Sequence, residues 1–185
     1  MKYYIDFDNT IFDTVSFYND LLEILYNNGV TKEYVEEYYQ NNRMNPLELI
    51  NSIDNVEIRN KALNHFNDTS KYIYPDAITF LKNKNDKVFI LYTHGYLEYQ
   101  NKKIEGSKIL SYFDDLIVTE EDKTALDIDY QNGIFVDDNT KVLKSLLNKQ
   151  AYRIYRIKRK NNHHSEEVLE DNQIIEIFNM NEIRD

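Results

Sequence analysis

The feature that most restricts the fold is an unbroken apolar run at 88–92, Val88-Phe89-Ile90-Leu91-Tyr92, with polar residues on either side. A strand with no polar side chain has no face to offer water, so it belongs inside a sheet covered on both sides. Further strand-like runs stand at 2–7, 116–118, 134–136, 152–157 and 174–178. Helical patterns lie between them, around Ala77, Phe80 and Leu81, at 97–104 and at 142–147. Strands alternating with helices predict an α/β fold, a parallel sheet flanked by helices on both faces.

The alternation is broken once, directly after the first strand. Phe17, Leu21, Ile24 and Leu25 fall on one helical face, and Tyr34, Val35, Tyr38 and Tyr39 on a second. Asn45-Pro46 suits the N-cap and first position of a third helix carrying Leu49, Ile50 and Ile53. Ile58, Ala62 and Phe66 mark a fourth. The expected organisation is an α/β core at 1–12 and 75–185 with an all-helical insert at 13–74. Asp13 is placed to cap the first insert helix. The polar stretch 158–172 is expected as a surface loop, with His163 and His164 exposed to solvent in it. Arg43 and the tyrosines at 38 and 39 receive no functional assignment.

Hydrophobic residues make up 42% of the chain, enough for a proper core, and there is no cysteine. That removes disulfides, thiolate catalysis and Cys-ligated metals. No apolar run approaches the length that spans a bilayer, and the N-terminus has no secretory pattern. A soluble cytoplasmic protein is expected. The formal net charge of −10 disfavours nucleic acid and anionic membranes as partners. An anionic substrate must then be drawn in by a metal ion or a few well-placed cations.

Open parallel sheets bind ligands at the carboxyl ends of their strands. Asp6 and Asp8 follow the first strand, Thr93 and then His94-Gly95 the second. Lys123 comes after the strand at 116–118, and Asp137-Asp138 after the one at 134–136. Four carboxylates, a hydroxyl and an ammonium are thus expected at one edge. Crowded carboxylates repel, and Mg²⁺ with carboxylates and substrate phosphate relieves them. Without cysteine or histidine at ligand spacing, zinc does not fit. One carboxylate can attack phosphorus, and a second, two residues on, can move protons. Thr93 and Lys123 can hold phosphoryl oxygens, with His94 a further phosphate contact.

These residues resemble the motifs of the haloacid dehalogenase (HAD) superfamily, and its phosphatases in particular. The first motif, Asp-x-Asp-x-Thr after a strand, is matched by Ile5-Asp6-Phe7-Asp8-Asn9-Thr10-Ile11. The second is matched by Ile90-Leu91-Tyr92-Thr93, the third by Lys123, and the fourth by Ile134-Phe135-Val136-Asp137-Asp138. Lys102, Lys103 and Lys108 are other lysines near the third position. The resemblance implies a Rossmannoid core with Asp6 as nucleophile and metal ligand. Asp8 would be the acid/base and ligate Mg²⁺ through its main-chain carbonyl. Asp138 would bind the metal directly, with Asp137 behind it orienting Lys123, and Thr93 would bind the phosphoryl group. An acid at position 8 is expected of phosphatases and not of dehalogenases. The insert resembles a small helical cap that opens and closes over the site. The implied activity is hydrolysis of a small phosphorylated metabolite through an aspartyl-phosphate. A phosphomutase would use the same core, and a non-catalytic binding module would share the fold.

Overall fold

The computed structural model describes residues 1–42, 44–83, 86–160, 162–169 and 171–184. Arg43 lies outside the described residues. The strands are β1 (Lys2–Ile5), β2 (Val88–His94), β3 (Asp115–Thr119), β4 (Gly133–Asp137), β5 (Arg153–Ile157) and β6 (Ile174–Ile177). They form one six-stranded sheet in the order β3-β2-β1-β4-β5-β6, with every pairing parallel. The chain winds outward from β1 to β3, then returns to the other side of β1 and winds out to β6. The direction of winding reverses between β1 and β4, which opens a crevice at their carboxyl ends.

The period of two within the strands sorts side chains to opposite faces. Tyr3, Ile5, Phe89 and Leu91 join one buried apolar cluster, and Tyr4, Ile90 and Tyr92 join another. The first face is covered by α5 (Pro75–Lys82), α6 (Leu97–Ser107) and the insert; α7 (Thr140–Asn148) covers the second through Leu143 and Leu146. Each large apolar side chain removed from water contributes roughly 1.5–3 kcal/mol. The strand at 2–7 ends earlier than its pattern suggests, because Phe7 turns into the tight bend that carries Asp8 and Asn9. There Ile11 and Phe12 N–H groups both donate to the Phe7 carbonyl, and Asn9 takes a φ of 53°.

Between β1 and α5 lie α1 (Thr14–Asn27), α2 (Lys32–Asn41), α3 (Pro46–Asn51) and α4 (Val56–Asn64). Asp13 caps α1 by accepting from the Ser16 N–H at 2.9 Å, and Asn45 caps α3 ahead of Pro46. Phe17 is the insert's centre. It stacks on His65 and meets Phe66 and Tyr72 edge-on. The insert shares one continuous apolar cluster with the sheet face. It docks on α6 at Gly106, whose carbonyl accepts from the Thr69 N–H at 3.0 Å. A Cβ at 106 would stand 2.0 Å from the Phe66 carbonyl oxygen, so the close approach requires glycine. Tyr38 and Tyr39 are half-buried and packed against the core, edge to face. No helix among the described residues is long and apolar enough to cross a membrane.

Candidate functional site

Register gathers the acids. Ile5 pairs with Val136 on one side and Leu91 on the other, so Asp6, Asp137 and Tyr92 emerge level at the sheet edge. The Asp6 N–H extends the ladder by donating to the Val136 carbonyl at 2.9 Å. Carboxylate oxygens of Asp6, Asp137 and Asp138 lie within 4.8 Å of one another, and all three residues are buried. Lys123, also buried, donates to Asp6 Oδ1 at 2.6 Å and sits 2.6 Å from Asp137 Oδ2. The Lys123 carbonyl accepts from the Tyr92 and Tyr130 hydroxyls, which fixes the turn that carries it. Asp137 also accepts from the Asn139 N–H at 2.8 Å, and Asp138 from Asn162 Nδ2 at 2.6 Å.

Three buried carboxylates face one ammonium. Burial pushes the Asp6 carboxyl well above the usual range, and the charges of Asp137 and Asp138 add to this against the pull of Lys123. Burial and Asp137 push Asp138 up to about 7. Lys123 is raised in turn, since Asp137 and Asp6 outweigh its own burial. An oxygen-only donor set with surplus negative charge fits a hard divalent cation such as Mg²⁺.

A pH prediction follows for the metal-free protein. A carboxyl with a raised pKa binds more protons folded than unfolded, so its contribution to stability falls as pH rises from the unfolded value, 3.8, through about 7. His65, lowered by burial, acts in the opposite sense below its ordinary value of 6.5. Comparison with Asp138→Asn isolates the acid. The melting temperature of the parent relative to that variant should fall from about pH 5 to about pH 7. Mg²⁺ should raise it more at the upper end. A flat difference contradicts the assignment.

Asp8 belongs to a second cluster. Its Oδ1 accepts from Lys103 Nζ and the Thr14 hydroxyl, and its Oδ2 from Gln100 Nε2 at 2.6 Å. Gln100 also donates to the His94 carbonyl at 2.8 Å, linking this cluster to the end of β2. Lys103 is fully buried, its ammonium 4.5 Å from the Tyr99 ring centroid and flanked by Phe7 and Phe12. Burial pushes the Asp8 carboxyl up, but Lys103, Thr14 and Gln100 overcome it and hold it below the usual range. Lys103 is lowered by burial despite Asp8. Lys103 is buried and Asp8 is half-buried, so removing the ammonium strands a carboxylate that water only partly reaches, and Lys103→Met should cost roughly 1–3 kcal/mol. In denaturant titrations, Lys103→Met combined with Asp8→Asn should cost less than the sum of the single variants. Strict additivity contradicts the pairing.

Thr93 is fully buried at the end of β2, and its hydroxyl has no partner among the described residues. The same holds for Asn9 Oδ1, Thr10 Oγ1 and Gln100 Oε1 around the bend after β1. Buried polar atoms are normally satisfied, so this group suits an oxygen-rich ligand or ordered water. Asp6, Asp8, Lys123, Asp137, Asp138 and the exposed His94 line one cavity of ≈ 420 Å³; Thr93 is not part of its lining. Of the competing lysines, Lys103 turns to Asp8, Lys108 pairs with Asp68 at the surface, and Lys102 is half-buried on α6.

The stretch 158–172 corrects the expectation of a plain surface loop. Arg159 and Asn162 are buried in it. Arg159 donates twice to the Thr10 carbonyl, at 3.0 and 2.7 Å, and pairs with Asp76 on α5, tying down the bend that carries Asp6 and Asp8. His163 and His164 also line the cavity, and only His163 is exposed. Gln100 and Lys103 were hidden for a different reason. They share a buried helix face with Tyr99 and Ile104, where a charged residue is itself the signal.

No protein-family model and no curated protein matches the sequence. Among solved structures, the chain is similar to a protein from Burkholderia xenovorans described as a haloacid dehalogenase-like hydrolase. The TM-score is 0.75 at 14% identity, covering 97% of this chain and 92% of that one. A magnesium-bound Bacillus subtilis protein described as a HAD-hydrolase, YfnB, gives 0.64 at 14% identity over 98% and 95%. L-2-haloacid dehalogenase from Xanthobacter autotrophicus gives 0.55 at 12% identity over 89% and 79%. At these identities the likeness is one of fold.

Proposed function

From the haloacid dehalogenase-like α/β fold of this chain, we propose that it is a Mg²⁺-dependent phosphatase acting on a small organic phosphomonoester with Asp6 as nucleophile. The observation that carries this reading is the convergence of Asp6, Asp137, Asp138 and Lys123 at the carboxyl ends of β1 and β4. The fold alone does not choose the chemistry, since a dehalogenase shares it.

Lys123 holds Asp6 Oδ1, which leaves Oδ2 for attack on phosphorus. The Oδ2–P bond forms as the bond from phosphorus to the leaving oxygen breaks, and that oxygen takes a proton. Water then attacks phosphorus, releasing inorganic phosphate and regenerating the Asp6 carboxylate. Asp8 is two residues away and serves the proton transfers. Held as an anion by Lys103, Thr14 and Gln100, it suits the base half of that role directly; for the acid half it must first take up a proton. The Lys123 ammonium and the Thr93 hydroxyl stabilise the charge spread over the transferring phosphoryl oxygens. Asp6, Asp137, Asp138 and the Asp8 main-chain carbonyl would hold Mg²⁺, which supplies charge neutralisation when bound. The insert, docked on α6, is the element that would close over the edge of the crevice.

The test is release of inorganic phosphate from a panel of small phosphomonoesters with and without Mg²⁺. Mg²⁺-dependent release is expected. Isomerised phosphate without free phosphate would instead make the protein a mutase. Substrate binding with no turnover of any kind would make it a binding module.

A further inference from the structure

The cavity that holds the acids and Lys123 is also walled by Lys141, Val142 and Ser145 of α7 and by His163 and His164. No described residue of the insert lines it. The wall is well anchored. Fully buried Arg156 donates from Nη2 to the carbonyls of His164 and Glu167, at 2.5 and 2.7 Å. Asn162 fastens the turn to Asp138, and Glu167 joins it to both Thr140 and His164. The two imidazole rings are tilted at 41° to each other, with centroids 3.9 Å apart. Lys141 has no ion-pair partner among the described residues, in a chain of formal net charge −10. An unneutralised ammonium and an imidazole edge therefore share a cavity with the acidic cluster.

We propose that this wall is the leaving-group subsite and that it selects phosphomonoesters carrying a second anionic group, a carboxylate or a further phosphate. The inference rests on the phosphatase reading for the orientation of the substrate, with its phosphoryl group at Asp6 and the remainder toward α7. The carboxylates repel a second anion, so that anion is accepted where cationic and N–H donors stand, at Lys141 and His163. Ser145 adds a hydroxyl donor and Val142 an apolar contact for the carbon chain between the two anions. Specificity then resides in the core, on α7 and the 163–166 turn, and not in the insert.

The test is calorimetric binding to the full chain in Mg²⁺, which needs no turnover. Ethylphosphonate is compared with carboxyethylphosphonate and with ethane bisphosphonate, the two arms separating a carboxylate from a phosphate as the second anion. The parent should bind at least one doubly anionic probe about tenfold or more tightly than ethylphosphonate, a difference of about 1.4 kcal/mol. In Lys141→Ala/His163→Ala the ratio should collapse toward one. Both residues are exposed, so the variant should fold. Lys144→Ala, on the same helix outside the cavity lining, should keep the ratio and serves as the control for general loss of charge. Equal affinity of the parent for all three probes overturns the inference, as does a ratio that survives the double variant. Discrimination without any phosphate release from matching esters would leave the subsite standing and sink the phosphatase reading instead.

Discussion

Asp6→Asn should abolish Mg²⁺-dependent phosphate release, lowering kcat by at least about 10⁴-fold, while the protein stays folded. An amide oxygen is a poor nucleophile toward phosphorus, and no other carboxylate stands in its place. Asp137 is held by Lys123 and the Asn139 N–H, and Asp138 by Asn162. The fold has little reason to suffer. The main-chain bond from residue 6 to Val136 does not involve the side chain, and the amide oxygen can still accept from Lys123. Burial makes the Asp6 carboxylate costly, and the variant removes that cost. The metal-free variant should therefore melt at a higher temperature than the parent, the common trade between a charged active site and stability. Activity retained at more than a small fraction of the parent value contradicts the role of Asp6.

Lys123→Met should have the largest effect on stability. It leaves Asp6, Asp137 and Asp138 buried together without the ammonium that bridges two of them. Removing one partner of a buried ion pair costs about 3–5 kcal/mol. For a chain of this length that is a fall of roughly 6–20 °C in melting temperature. Mg²⁺ should recover part of the loss, because it supplies the missing positive charge. Loss of a phosphoryl-binding donor should also reduce kcat by about 10²–10³-fold. Lys108→Met breaks a pair that is exposed on both sides and should change stability by less than about 1 kcal/mol. Thermal melts of the two variants with and without Mg²⁺ check this, and similar shifts for both would contradict the account.

The sheet was legible because its central strands are buried on both faces. The run at 88–92 has no other environment, and the run at 134–136 follows the same logic, while 116–118 on the edge strand is half-buried. The insert helices were legible from spacing, with Asp13 and Asn45 marking two starts. Strand ends then placed Asp6, Lys123, Asp137 and Asp138 at one edge, as the order β2-β1-β4 requires. Their chemical roles are a further step that sequence and geometry support together.

What stayed hidden were polar groups used as internal partners. Lys103 is a buried lysine like Lys123, but nothing local in the sequence says which acid it meets. Only the packing of α6 against the bend after β1 sends Lys103 to Asp8. Residues 158–172 read as solvated because they are polar, yet Arg159 and Asn162 are buried by bonds to Thr10 and Asp138. Hydropathy cannot separate a polar residue that faces water from one that completes a buried network.

Transfer of the phosphoryl group to Asp6 is tested by trapping the acyl phosphate. The enzyme is quenched in acid during turnover of its best phosphomonoester with Mg²⁺, reduced with borohydride and mapped by peptide mass spectrometry. An acyl phosphate is expected at residue 6, converted by reduction to homoserine, and none in Asp6→Asn. Phosphate release with no modification at Asp6, or with the label on Asp138, would contradict that transfer.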